Sequence, residues 1–222
     1  MCNRYGYLAP ISRLADEFSE LKIPIRFEGG AIPNLQPRDH IRPTNTAPIL
    51  RPIDRNTPGA GVALVEVRWW LVPFFHKGAV KAWKPMCTNA RAETVATTAA
   101  FREPYKRRRC LAPATHFFEW TGEKGAKVMW RFTKADADLF CFAGLWDRAT
   151  TEDGPIESFT ILTCASGPDC QPYHNRQPVI LERERWATWL DLAADPAPIL
   201  RAADAGTIHV ERVLETVSEA SG

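Results

Sequence analysis

The chain has almost no net charge: 28 Lys and Arg residues stand against 26 Asp and Glu, a formal charge of +2. Binding to nucleic acid through bulk electrostatics needs a far more basic chain, so any nucleic-acid surface must be local. Long apolar runs are missing as well. The longest, such as 139–146, fall far short of the roughly 18 residues of a membrane helix, and no membrane partner is expected. No Cys-x-x-Cys pair occurs among the six cysteines, and the closest spacing, Cys164 to Cys170, fits no common zinc site. No metal and no organic cofactor is expected. Residues 1–7 lack the apolar stretch of a secretory signal, so a cytoplasmic location with reduced thiols is expected. Internal repeats and low-complexity segments are absent too.

What is present has globular proportions. With 222 residues, 45% hydrophobic and 24% charged, the chain fits one large domain, expected over 1–216, with a frayed tail at 217–222. Leu14, Phe18 and Leu21 recur at helical spacing behind Ser12, a candidate N-cap, which predicts a helix over 13–22. The proline-rich stretch 28–61 has no sustained period and reads as a long irregular connection. Strands are expected over 62–72, 127–133, 139–146, 158–165 and 207–213, with a hairpin turn at 121–125 and a polar connection at 147–155. Helices are expected over 182–192 and 197–205. Many strands with few crossover helices favour a mainly antiparallel α+β fold.

Cys2 carries the most chemical information. Loss of the initiator methionine would leave an amine and a thiol on adjacent carbons. With ordinary values of about 7.7–8.0 for the amine and about 8.5 for the thiol, both nucleophilic forms are expected at neutral pH without special tuning. An aldehyde can then form an imine with the amine and take up sulfur at the same carbon, closing a five-membered thiazolidine.

Further motifs follow in order. They are Asn89-Ala-Arg-Ala-Glu-Thr94, His116-Phe-Phe-Glu-Trp120, Phe159-Thr-Ile-Leu-Thr163 and His174-Asn-Arg-Gln-Pro178. Together with the Met-Cys-Asn-Arg start they resemble the SOS-response-associated peptidase (SRAP) family over residues 1 to about 192. The resemblance implies an antiparallel, barrel-like core with a few flanking helices. It also implies a sensor of abasic sites in single-stranded or junction DNA that becomes covalently crosslinked to them. By the same resemblance Cys2 is the nucleophile, Glu119 and His174 are the acid/base pair, which also serve removal of Met1, and Asn89 positions the terminus. Arg4, Arg91, Arg102 and Thr163 are candidate DNA contacts, with the run Lys106–Arg109 ranked below them. Asn45 and Pro48, in Thr44-Asn-Thr-Ala-Pro48, would lie near the site, Pro48 as a wedge against bases. Phe74 or Phe75 would stack. The chain is expected to act as a monomer, associated with the nucleoid when bound to DNA.

Several positions depart from the family pattern. Asn3 and Trp70 stand where glycine is usual, and Asn3 would narrow access or take a left-handed backbone. His116 replaces a small or acidic residue, Ser166 replaces Asn, and Asn175 replaces an acid beside His174, which should leave that imidazole neutral more often. Two other functions compete: a cysteine-dependent peptidase or amidohydrolase acting in trans, and a noncovalent single-strand-binding module.

Overall fold

The computed structural model describes residues 2–27, 30–31, 33–54, 57 and 60–214; the expected tail at 217–222 lies outside them. The first half carries β1 (Tyr5–Tyr7), α1 (Ile11–Glu20), β2 (Ile25–Phe27), β3 (Arg38–Ile41), β4 (Thr46–Pro52), β5 (Val62–Trp69), β6 (Asn89–Arg91) and α2 (Arg102–Arg107). The second half carries β7 (Arg109–Ala114), β8 (His116–Thr121), β9 (Val128–Lys134), β10 (Phe140–Thr151) and β11 (Gly154–Ala165), then β12 (Arg176–Pro178), β13 (Ile180–Leu181), α3 (Trp186–Leu190) and β14 (Ile208–Arg212). Neighbour pairing runs β11-β10-β7-β4-β5, and a parallel pairing of β5 with β11 (Ser158↔Arg68, Phe159↔Trp69) returns the sheet on itself. The core is therefore a closed, mainly antiparallel barrel with few helices. A second sheet, ordered β14-β9-β8-β1-β3, packs beside it: Tyr5 of β1 meets Trp69 and Phe142 of the barrel edge-on, with ring centroids 5.1 and 5.7 Å apart. Among the described residues no helix is long and apolar enough to cross a membrane.

Local chemistry explains where the expected elements shift. The first helix begins at Ile11 behind Pro10, and no side chain caps it; Ser12 lies inside the helix. Burial of Leu14 and Phe18 supplies the drive, about 1.5–3 kcal/mol for each side chain. The stretch 28–61 is not merely a connection, because it holds β3 and β4. Residues 47–50 of β4 are buried without alternation, and Pro48 and Pro52 are tolerated because the ladder between β4 and β7 is reduced to the single pair Leu50↔Leu111. The segment 147–155 is strand as well: β10 and β11 continue through it to a hairpin whose last pair is Thr151↔Gly154. The helix expected over 182–192 becomes one 3-10 turn (Arg183–Arg185) followed by α3, with Trp186, Trp189 and Leu190 buried. Over 197–205 only the 3-10 turn Ala197–Ile199 forms, where Pro198 removes a backbone donor.

Gly6 marks a close approach. A Cβ there would lie 2.2 Å from His116 Cε1 and 2.6 Å from the Asp39 carbonyl oxygen. The fully buried His116 ring occupies that space, with Nε2 3.0 Å from the Asp39 carbonyl and Nδ1 2.9 Å from Thr115 Oγ1.

Candidate active site

Three pairings gather the site. β1 and β8 run antiparallel (Tyr5↔Phe117, Gly6↔His116), and the Phe118 amide continues the ladder by donating to the Arg4 carbonyl at 2.9 Å. This carries the start of the chain toward Glu119. β6 lies parallel to β11 (Ile161↔Asn89, Thr163↔Arg91), and β12 pairs with the other edge of β11 (Ala165↔Arg176). Asn89 and the His174 loop thus flank the same strand.

Cys2 is fully buried, and Asn89 Nδ2 donates to its carbonyl at 2.8 Å. Asn89 Oδ1 is buried with no hydrogen-bond partner among the described residues. Burial, and then the neighbouring Glu119 charge, push the Cys2 thiol well above its ordinary range. That corrects the expectation of an untuned thiolate: the sulfur is held as S–H at neutral pH. Glu119 is 4% exposed, which overrides the simple alternation of a strand. Burial raises its carboxyl, while the positive charge at the chain's start pulls it down.

His174 is half-buried. Its imidazole is lowered by burial first, then by the same amino-terminal charge. His174 Nδ1 lies 2.9 Å from the Arg176 amide and 3.0 Å from the Arg176 carbonyl oxygen, so the backbone of one residue holds the ring in either neutral tautomer. Cys2, Asn89, Glu119 and His174 are therefore brought to one place.

The DNA-contact candidates divide. Arg4 is partly buried, its guanidinium 4.8 Å over the Trp120 ring; burial and the nearby Arg42 lower its pKa. Arg91 and Arg102 are exposed. Phe74 and Phe75 are exposed, at 45% and 41%. Asn45 is exposed in a turn, its side-chain oxygen accepting the Arg42 amide at 2.9 Å. Pro48 is buried inside β4. Thr163 is fully buried and braces Arg176, whose Nη2 donates to its carbonyl at 2.7 Å. In the basic run Lys106 and Arg107 are exposed, but Arg108 pairs with Asp147 at 3.0 Å. Arg109 is buried and donates to the carbonyls of Asp191 (2.7 Å) and Ala194 (3.3 Å), so it holds the late chain rather than phosphate.

The departures resolve physically. Outside glycine, left-handed φ among the described residues occurs at Lys22, Thr44 and Trp70, so Asn3 does not use it. Asn3 is exposed and accepts from Thr88 Oγ1 at 3.5 Å. Trp70 keeps the glycine-type backbone, at φ 126°, and its indole N–H donates to the Pro85 carbonyl at 3.0 Å. Ser166 and Asn175 meet through backbone, N–H to O at 3.2 Å.

Two features escape sequence reasoning. Arg176 forms a two-pronged pair with Glu93 (2.6 and 2.9 Å), joining the β6 loop to β12. Burial lowers His40 first, and Arg4, Arg42 and Arg131, from distant parts of the sequence, lower it further against the pull of Asp39, so three cations gather beside β1. Among the described residues no group of three or more His, Cys, Asp or Glu side chains could hold a metal ion.

Known proteins resemble this chain in sequence and in fold. The abasic site processing protein YoaM of Bacillus subtilis (strain 168) is 30% identical over 194 residues, 86% of this chain and 79% of its own length. The abasic site processing protein YoqW of the same organism is 29% identical over 194 residues, 86% of this chain and 80% of its own. A crystal structure of a Bacteroides thetaiotaomicron protein, 22% identical, shares the fold with a TM-score of 0.80 over 96% of this chain and 93% of that one. A family profile described as SOS response associated peptidase (SRAP) matches residues 1–220, and the chain belongs to that family.

Proposed function

We propose that this protein captures abasic sites in single-stranded or junction DNA as a covalent DNA–protein crosslink through Cys2, after removal of Met1. The observation that carries the reading is the buried grip of Asn89 on the Cys2 carbonyl, at 2.8 Å, in a site shared with Glu119 and His174.

The ring-opened sugar presents an aldehyde. The freed Cys2 amine adds to that carbon, and loss of water leaves an imine. The thiol then adds its sulfur to the imine carbon while its proton passes to nitrogen, and the thiazolidine closes. A thiol held protonated by burial suits this order, with amine first and sulfur second. Asn89 Oδ1 is an acceptor for the freed amine, and Glu119 takes and returns the amine protons. Neutral His174 donates a ring proton toward the sugar oxygen as the ring opens. Glu119 and His174 also serve in removal of Met1, the peptidase-type step.

Arg4 and Arg91 neutralise phosphates near the site, and Phe74 and Phe75 stack on bases. The test is a denaturing gel with abasic and intact single-stranded oligonucleotides. A denaturation-resistant band is expected only with abasic DNA, is absent in Cys2→Ala, and forms slowly in Glu119→Ala and His174→Ala. A band of normal yield in Cys2→Ala would remove Cys2 as the nucleophile.

A further inference from the structure

The loop between β5 and β6 shows large aromatic rings to solvent while having little regular structure of its own. Beyond Phe74 and Phe75 it carries Trp83 and His76. The rings touch in series: Phe74–Phe75 at 5.5 Å, Phe75–Trp83 at 5.9 Å and Trp83–His76 at 5.3 Å. Over 73–83 its one regular element is the 3-10 turn Val80–Ala82. Exposed rings on such a loop are useful for stacking only if its backbone is held from outside.

The hold comes from the β10–β11 hairpin. Asp147 Oδ2 accepts the Phe74 amide at 3.0 Å, and its other oxygen accepts the Arg148 amide at 2.8 Å and pairs with Arg108 at 3.0 Å. Asp153 Oδ2 accepts the Val80 amide at 2.8 Å, the Glu152 amide donates to the Lys77 carbonyl at 3.1 Å, and Ser158 Oγ accepts the Val72 amide at 2.8 Å. Asp147 is 1% exposed. A buried carboxylate is costly unless its partners satisfy it. Here the Phe74 and Arg148 amides and the Arg108 guanidinium meet its two oxygens, although burial still holds the carboxyl above its ordinary range, and one of those partners is the amide of the residue that bears the first exposed ring.

We infer that Asp147, assisted by Asp153, is a positioning residue that fixes the aromatic loop so that Phe74 and Phe75 present their faces to the bases beside the reacting sugar. The inference deepens the proposed function and rests on it. Asp147 touches neither the aldehyde nor Cys2, so its loss acts on DNA affinity and leaves the chemical step alone.

Asp147→Asn keeps the side chain's shape but removes the charge and one acceptor. With an abasic single-stranded oligonucleotide, the concentration giving half-maximal crosslinking rate rises about three- to tenfold, part of what loss of stacking on one base would cost. The saturating rate stays within about twofold. In a Phe74→Ala/Phe75→Ala background, adding Asp147→Asn shifts the half-saturating concentration by less than about twofold, as coupled sites require. A 2-aminopurine placed beside the abasic site is quenched less by Asp147→Asn than by the natural protein. An unchanged half-saturating concentration, or an equal effect with and without the rings, would overturn the inference.

If Asp147→Asn does not fold, Asp153→Asn at the exposed hairpin tip must give the same affinity-only pattern, at about twofold; unchanged affinity there would also overturn it. If the natural protein forms no adduct at all, the reading of Cys2 fails by itself. Anisotropy with an undamaged single-stranded oligonucleotide then decides the positioning role: Asp147→Asn must weaken binding when the rings are present and not when they are absent.

Discussion

The pocket around Cys2 and the loop around Phe74 put polar and apolar groups in opposite places. In the pocket Cys2, Asn89 and Glu119 are buried, where low dielectric strengthens every interaction and shifts every titration. In the loop, rings that would normally fill a core stand in solvent, and a buried carboxylate holds the backbone beneath them. Polar groups kept from water suit bond making, and apolar faces shown to water suit recognition. Substitutions should therefore separate into those that change a rate and those that change an affinity.

The sharpest separation is expected at Glu119. Glu119→Gln slows adduct formation by about 100-fold, a typical loss for an acid/base group, with little change in the half-saturating DNA concentration. Burial raises this carboxyl in the fold, so the protonated form stabilises the protein below the ordinary carboxylate range. That contribution is lost as pH rises through the folded value. At pH 7 the glutamine variant, with no charge to bury, melts at higher temperature, and a thermal melt at pH 7 against pH 4 checks the sign.

Arg109→Ala tests the buried member of an otherwise more open basic run. It should cost about 2 kcal/mol in urea unfolding, by leaving the carbonyls of Asp191 and Ala194 without their charged donor, and leave the DNA affinity of the folded protein unchanged. Phe74→Ala/Phe75→Ala should raise the half-saturating DNA concentration about tenfold at an unchanged saturating rate. A drop in rate instead would merge the two regions. The smallest effect belongs to Asn175→Asp. The new carboxylate favours protonated His174 and moves the corresponding inflection of the pH–rate profile to higher pH; exposure of residue 175 keeps the shift small. Superimposable profiles would separate residue 175 from the titration of His174.

Sequence reading reached furthest where one pattern governs one element. Regular β-branched and aromatic runs gave β5, β9 and the centres of β10 and β11. Cys2, Glu119 and His174 stood out through ordered motifs, although only tertiary pairing brings them together. The reading failed where tertiary context overrides a local signal. Pro48 looked like loop chemistry, yet a strand with little pairing on one side accepts it. Arg109 looked like a phosphate contact, yet carbonyls from the far end of the chain receive it. Residues 147–155 looked like a connection because their exposed face is polar, yet the ladder continues to Thr151↔Gly154. No local pattern marks Glu93 with Arg176, because 83 positions separate them. The raised Cys2 thiol was hidden for the same reason, since burial is a property of the fold and not of the dipeptide.

Intact-protein mass spectrometry tests the central claim most directly. The purified protein should weigh one methionine less than its full sequence. After incubation with an abasic single-stranded oligonucleotide, a species should appear at the summed mass of the two less one water, absent from Cys2→Ala. A protein that retains Met1 and still forms this species, or an equal yield of it from Cys2→Ala, would contradict capture by a processed amino-terminal cysteine.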